Sequence, residues 1–427
     1  MSTPHRAILN AAVPLFLSMS AGVVAQLLST SLLGHQATVQ LAAFALVNAV
    51  FTPVSAAVSG GLRGMSPFIA ACRDRPAEAL AILKDARWLS LGLGTVGASV
   101  MLGVPLIARI GGVPGQVAAE FGMLPRLLAL QVLLAAAAGG ANGALIALGR
   151  TRRVLWSSLA GTAAQVILLI VLVPGMGIQG AGIATLASTV LTVAMSNVLL
   201  LRVPELAGRT LWPERPRPRQ IWRMATVGLP MSGTIVVKFT VMGGVTYAAA
   251  RTGVQGAAAH AILVALGVLL GLAASAVGQA VPPEIARTAS PGEARRVTRA
   301  ALAVTAAGGL AGALVLLLLG QAVLGLFTSD AGVLALALGL LPLLVAYVVA
   351  DNCGIVLSAS LMGLKRSTWS LGSAVVGHGL LALAMTPVTA LWGLTGLWVA
   401  LIASRAPILL VQSVGFLRHG ARWVPSE

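Results

Sequence analysis

Long apolar runs, nearly free of charge, alternate along the chain with short polar and basic stretches. About 20 apolar residues are enough for a helix to cross a bilayer. The backbone of such a run must satisfy its own hydrogen bonds in lipid, so these runs predict helices rather than barrel strands. Twelve spans are predicted, near 8–31, 39–61, 88–108, 123–148, 155–173, 178–201, 225–250, 256–280, 300–319, 332–362, 369–387 and 393–416.

The composition favours a chain whose outer surface meets lipid. Hydrophobic residues make up 58% of the 427 positions and charged residues only 9%, which a soluble domain cannot accommodate. The first apolar run is long enough to span, so we interpret it as a retained helix and not a cleaved signal. Cys72 and Cys353 are too far apart in this pattern to indicate a disulfide or a metal site.

The basic residues are distributed unevenly between the predicted loops. A net charge of +17 is also typical of proteins that bind nucleic acids. In this chain, however, 23 of the 28 basic residues fall in loops on one side of the predicted spans. This positive-inside bias predicts a multi-pass protein of the cytoplasmic (inner) membrane with both termini cytoplasmic. The basic loops are expected to contact membrane lipids, and no nucleic-acid partner is expected.

The second half of the chain repeats the first. Gly177, Gly180 and Ser188 recur as Gly393, Gly396 and Ser404 at an offset of 216 residues, and several shorter matches keep nearly the same offset and order. The repeat predicts an N-lobe at 1–210, a cytoplasmic linker at 211–222 and a C-lobe at 223–427. Six helices per half is an even number, so the two copies are expected to be parallel repeats. Paired helical lobes suit alternating access, and the alternative is a membrane scaffold without transport.

Several short segments, spread over nearly the whole chain, resemble the multidrug and toxic compound extrusion (MATE) family. They are LGH at 33–35 with LAA at 41–43, ALGRTR at 147–152, GIQGAGIAT at 177–185, GLP at 228–230, LFTSD at 326–330 and LMGLK at 361–365. The resemblance implies an all-α integral membrane protein of twelve transmembrane helices in two V-shaped lobes. It also implies export of organic, often cationic, compounds in exchange for H⁺ or Na⁺.

These segments also have plain structural interpretations. The glycines of spans 6 and 12 are expected to let helix backbones pack closely. Asp330 and the two residues before it are expected to cap a helix. Pro14 and Pro230 are interpreted equally well as hinges or as tolerated bends.

Three charges are predicted to lie deep in spans: Lys238, Asp351 and Arg405. A charge near the bilayer centre costs about 2.5–3.5 kcal/mol, so it usually faces a cavity or a partner. Asp351 matches the position of an acidic residue that the resemblance associates with ion coupling, whereas Lys238 stands where several relatives carry a glutamate. The three charges therefore indicate either ion coupling or a fixed ion pair of Asp351 with Lys238 or Arg405.

The first half has no deep carboxylate, and Ser29 stands where many relatives have an aspartate. Uncharged polar residues are the candidates for lining a substrate cavity: Gln26, Ser29, Asn48, Gln165, Tyr347 and Asn352. His260 and His378 are expected to make interhelical hydrogen bonds.

The sequence thus predicts a proton-coupled antiporter that exports a small organic compound, with Na⁺ the less favoured ion. Alternatives are a lipid-linked glycan flippase and a major-facilitator-type transporter, although the usual loop motif of the latter after span 2 is absent. Converging catalytic groups are not found, so an enzyme is not expected. We expect no cofactor, no metal site and a monomer.

Overall fold

The computed structural model describes residues 4–34, 38–72, 74–204 and 214–421. His35 of the first MATE-like segment and residues 211–213 of the predicted linker lie outside these ranges. Within them the regular elements are fourteen helices. Their bounds are α1 Pro4–Gly34, α2 Thr38–Arg63, α3 Ser66–Ala71, α4 Pro76–Leu102, α5 Val104–Ile110, α6 Gly115–Ala119, α7 Leu124–Ala147, α8 Thr151–Leu201, α9 Pro218–Ala250, α10 Val254–Ala286, α11 Pro291–Gly325, α12 Ala331–Gly363, α13 Thr368–Ala403 and α14 Arg405–Ala421.

The described helices account for the twelve spans that the sequence predicts. Among the described residues, nine helical segments are long and apolar enough to cross a membrane, and α4 with α5, bent by 45°, forms a tenth. Two of the nine contain 51 and 52 residues, more than twice the length that one crossing needs. Each of these two segments contains one non-helical glycine, so each divides into two spans. The all-helical fold is confirmed.

The two internal breaks occur at repeat-related glycines. Gly177 in α8 has φ 54° and ψ −132°, and Gly393 in α13 has φ 59° and ψ −148°. This region is open essentially only to glycine. These two glycines thus have a role that the packing interpretation did not include, because their backbone conformation ends one helix and starts the next. Gly177 also packs closely, since a Cβ there would overlap the Gln40 side chain of α2. Their neighbours Gly180 and Gly396 do relieve crowding, since a Cβ would lie 2.6 Å from the Leu172 carbonyl oxygen and 2.7 Å from the Trp392 Cβ.

The chain divides into two compact units, and the boundaries between them fall within α1 and α9. The first unit is residues 13–232, and the second unit is residues 1–12 with 233–427. In the first unit, α2 and α9 approach closely at Gly64 and Gly228, where any Cβ would overlap backbone. Ser232 Oγ donates a hydrogen bond of 2.7 Å to the Ala57 carbonyl oxygen at the same contact. The lobe boundaries drawn from the sequence remain a prediction.

Ion pairs tie the described end of the linker to α4 in this unit. The Arg217 guanidinium lies 2.7 Å from the buried Asp85 carboxylate. The Lys84 ammonium pairs with Glu214 and lowers the pKa of that carboxyl by its hydrogen bond and its charge.

The second unit has a core around Trp398, a fully buried residue of α13. Two of its helices have distinct starting points: α12 begins at a helix cap, and α14 begins at a break after α13. Asp330 caps α12 by accepting hydrogen bonds from the backbone N–H groups of Gly332 and Val333, which confirms the predicted cap. Ser404 separates α13 from α14 and places Arg405 at the first position of the next helix.

Candidate functional site

The three predicted deep charges converge within the second unit. Lys238 lies in α9, Asp351 in α12 and Arg405 at the start of α14. Lys238 Nζ lies 2.9 Å from Asp351 Oδ2, and Arg405 Nη1 lies 2.8 Å from Asp351 Oδ1. One carboxylate thus receives a charge-assisted hydrogen bond on each oxygen, and both of the predicted pairs form at once.

Arg405 is held by more than its ion pair. Its Nε and Nη2 donate to Ser404 Oγ over 3.4 and 3.3 Å, and its guanidinium carbon lies 5.3 Å from the centre of the Tyr347 ring. Nη2 also lies 3.1 Å from His378 Nε2. The side chain is only 4% exposed, so the guanidinium is fixed on several sides.

The hydrogen bonds of His378 define its tautomer. Its Nδ1 lies 3.1 Å from the carbonyl oxygen of Ala374, which can only accept, so Nδ1 carries the proton. Nε2 is then the acceptor that Arg405 Nη2 requires. A proton on Nε2 as well would make the His378 Nε2–H and the Arg405 Nη2–H two donors that point at each other. The His378 imidazole is therefore neutral in this arrangement. The expected interhelical role of His378 is confirmed, because the bond joins α13 to α14.

The cluster has an excess of positive charge. Two cations share one carboxylate, and the His378 and Ser404 contacts add none, so the group carries one net positive charge. Exposure separates the two cations: the Lys238 side chain is 35% exposed, against 17% for Asp351 and 4% for Arg405. Lys238 is therefore the least enclosed of the three charged side chains.

His260 differs from His378. It is 1% exposed, and neither ring nitrogen has a hydrogen-bond partner among the described residues. The expected interhelical hydrogen bond is therefore wrong for His260. The imidazole instead packs on Trp398, with the ring centres 5.7 Å apart.

Four of the cavity candidates lie in the first unit. Gln26 is exposed and Ser29 is buried, both on α1. Asn48 on α2 has a buried Nδ2 without a partner among the described residues. Gln165 Nε2 lies 3.4 Å from Thr185 Oγ1, a bond across the break in α8. Their place in a substrate cavity remains a prediction.

The other two candidates, Tyr347 and Asn352, lie next to the charge cluster on α12. Tyr347 covers Arg405 and packs edge-on against Trp398, with ring centres 6.0 Å apart. Asn352 is 4% exposed, and its amide nitrogen would lie 3.6 Å from a Cβ at Gly309 of α11. Tyr347 is therefore part of the cluster, whereas Asn352 is packed towards a different helix.

A cavity of about 410 Å³ lies elsewhere in the second unit, between the C-terminal end of α9 and the break in α13. Arg251, Tyr247, Thr389 and Gly393 are among its lining residues. The sequence singled out none of these as a cavity residue, because only the fold brings the end of α9 to the break.

The described helices and the buried charge cluster define a polytopic α-helical membrane protein. No protein-family model matches the chain. Among curated proteins it is 26% identical to a probable multidrug resistance protein NorM of Xanthomonas campestris, over 96% of this chain and 93% of the relative. It is also 26% identical to Protein DETOXIFICATION 44, chloroplastic, of Arabidopsis thaliana, over 98% and 82%. The Brucella suis NorM protein is matched at 26% identity over 57% of this chain, which spans only 55% of that relative.

Solved structures show the same fold. A MOP superfamily transporter from Pyrococcus furiosus, for which a reverse polarity of the binding pocket suggests a different function, superposes with a TM-score of 0.86. It is 21% identical, with 99% of this chain and 96% of that chain covered. An outward-facing multidrug resistance MATE transporter of the MOP superfamily gives a TM-score of 0.85 at 21% identity over the same shares. The chain is thus similar along nearly its whole length to curated multidrug resistance proteins, and it shares the fold of solved MATE and MOP superfamily transporters.

Proposed function

We propose that the protein is a proton-coupled antiporter that exports a small organic compound across the cytoplasmic membrane, with both termini cytoplasmic. The NorM relatives are named as multidrug resistance proteins, which supports export of small molecules. The observation that carries the coupling is Asp351, a carboxylate deep in a span and bound by Lys238 on one oxygen and Arg405 on the other.

The position of Lys238 favours H⁺ over Na⁺ as the coupling ion. A sodium ion at Asp351 would be a third cation beside Lys238 and Arg405, and no second carboxylate is within 4.0 Å of either side chain among the described residues. The oxygen atoms described in this cluster are those of one carboxylate and of the Ser404 hydroxyl, which already accepts from Arg405. A proton needs no shell of such ligands.

Gradient-driven transport in proteoliposomes tests the proposal. Purified protein is reconstituted, a panel of organic cations, anions and neutral compounds is loaded, and efflux is followed under an imposed pH gradient or an imposed Na⁺ gradient. We expect the pH gradient alone to drive efflux. Efflux that follows Na⁺ and ignores pH would overturn the proton assignment, and no transport of any compound would favour the scaffold.

Replacing Asp351 by Asn separates coupling from a structural ion pair. D351N keeps the shape of the side chain but removes the charge that both cations share. We expect loss of pH-driven efflux while the protein still reaches the membrane. The matched control is D330N on the same helix α12, because Asn caps a helix about as well as Asp and leaves the cluster intact. Normal efflux by D351N would make the charge structural.

A further inference from the structure

The two cations on Asp351 are held very differently. Arg405 keeps Ser404, His378 and the Tyr347 ring as partners besides the carboxylate, and it is 4% exposed. Lys238 has a single described hydrogen bond, to Asp351 Oδ2, and its side chain is 35% exposed. If one cation leaves the carboxylate during a transport cycle, the contacts favour Lys238 as the one that leaves.

The same contacts limit which group can exchange a proton. A proton on Asp351 would leave two cations facing a neutral acid, doubling the net charge of the buried cluster. A guanidinium group does not act as a proton carrier in proteins. His378 already donates through Nδ1 and accepts at Nε2, so a second proton would oppose the Arg405 N–H. Tyr347 presents its ring face, and not its hydroxyl group, to Arg405.

Lys238 is the remaining titratable group that faces the carboxylate. An amine can lose its proton when its anionic partner is taken away and a second cation arrives. If Lys238 does so, the cluster keeps one net positive charge both with and without a bound monocation. If Lys238 stays charged, the cluster carries two positive charges at membrane depth, which is costly.

We propose that Lys238, and not Asp351, carries the exchanged proton, and that an organic monocation takes the place of the Lys238 ammonium on Asp351 Oδ2. This inference rests on the proposed antiport and specifies its proton site. The cation enters from the inner side, the Lys238 N–H bond breaks and one proton passes to water on that side. On the outer side Lys238 takes up one proton, returns to Asp351 and displaces the cation. Asp351 stays ionised and paired with Arg405 throughout.

Binding in detergent tests the proton site without a gradient. The probe is tetraphenylphosphonium, a permanent monocation with no proton of its own, so any proton released comes from the protein. We expect release of about one proton per bound cation and about a ten-fold loss of affinity for each pH unit lower, because proton and cation exclude each other. Failure of the wild-type protein to bind this probe would overturn the inference.

Variants at Lys238 give the decisive comparison. K238M resembles the deprotonated lysine, so we expect it to bind the probe tightly at every pH and to release no proton. K238R keeps the ion pair but cannot deprotonate, so it should bind weakly and without pH dependence. The matched control is K84M, which removes a lysine paired with the exposed Glu214, and it should behave as the wild-type protein does.

The outcomes separate this inference from the proposed function. Proton release that persists in K238M and K238R would place the proton on another group and overturn the inference, even if the wild-type protein exports under a pH gradient. Cation binding retained by D351N would show that the cation does not bind at Asp351. A wild-type protein that binds the probe with proton release but shows no gradient-driven efflux would contradict only the proposed antiport. Unfolding temperatures of the variants check that each one is folded.

Discussion

Asp351 and Asn352 are neighbours in the chain but lie in different surroundings on α12. Successive residues of an α-helix point about 100° apart, so Asp351 points to Lys238 and Arg405 while Asn352 packs towards Gly309. The three charges were predictable from the sequence, because ionised residues inside apolar runs are rare and need partners. The contacts of Arg405 with His378 and Ser404 were not predictable, since they depend on how α13 and α14 pack.

His260 allows a test of a buried polar group that makes no visible hydrogen bond. Its two ring nitrogens lack partners among the described residues, so the buried imidazole costs about 1–3 kcal/mol relative to a paired one. Phenylalanine has a similar shape and keeps the contact with Trp398. We expect H260F to raise the unfolding temperature of the purified protein in detergent.

The same substitution at His378 is the control. There phenylalanine removes the acceptor for Arg405 Nη2, which leaves part of a buried guanidinium unpaired. H378F should therefore lower the unfolding temperature. A marked loss of stability in H260F as well would show that the His260 nitrogens have partners, such as bound water, that the fold requires.

At the scale of the helices, the apolar runs predicted the spans on both sides of each break, but not the backbone conformation at the break itself. The segment from Gly177 to Gly182 has the small-residue spacing typical of close helix packing, and sequence alone does not distinguish this from a break. The distinction lies in the backbone, where Gly177 and Gly393 adopt nearly the same positive φ. The repeat therefore preserves a helix break in both halves.

Replacing Gly393 by alanine measures the strain at this break directly. Apart from its chain neighbours and the adjacent backbone of its own helix, no heavy atom lies within 4 Å of the position where a Cβ would stand, so the cost comes from the backbone conformation. We expect G393A to lower stability by about 1–3 kcal/mol in thermal unfolding in detergent. The control is G372A on the same helix α13, which is equally open but has no positive φ.

Alanine at position 372 should raise stability by up to about 1 kcal/mol, as for an ordinary helical glycine. Equal effects of G372A and G393A would show that the break at Gly393 is not maintained in the folded protein. The two variants are directly comparable, because each substitution adds one methyl group to the same helix, α13.

At the scale of the whole molecule, the sequence repeat accounts for the shared helix pattern of the two halves but not for the three deep charges. At the offsets of the nearest repeat matches, Lys238, Asp351 and Arg405 correspond to Gly22, Leu134 and Thr189 in the first half. The first half thus has the same break in α8 but no charge at any of the three equivalent positions. Any coupling through this cluster belongs to the second half alone, although the sequence repeat relates the two halves.

The topology of the whole chain is tested by single cysteines in a C72S/C353A background. Ala77 follows two spans, so the positive-inside bias places it in the cytoplasm, whereas Ser329 follows nine and is placed outside. Both positions are exposed. A membrane-impermeant maleimide should label S329C in intact cells and should label A77C only after the cells are permeabilised.

This labelling also tests the division of α8. If the helix broken at Gly177 crossed the membrane once instead of twice, Ser329 would follow eight spans and would lie on the same side as Ala77. Protection of both cysteines in intact cells would therefore contradict the two-span interpretation of α8, and labelling of A77C alone would reverse the proposed orientation. Labelling of S329C alone requires both the orientation and the break, because an error in either one moves that residue to the inner side.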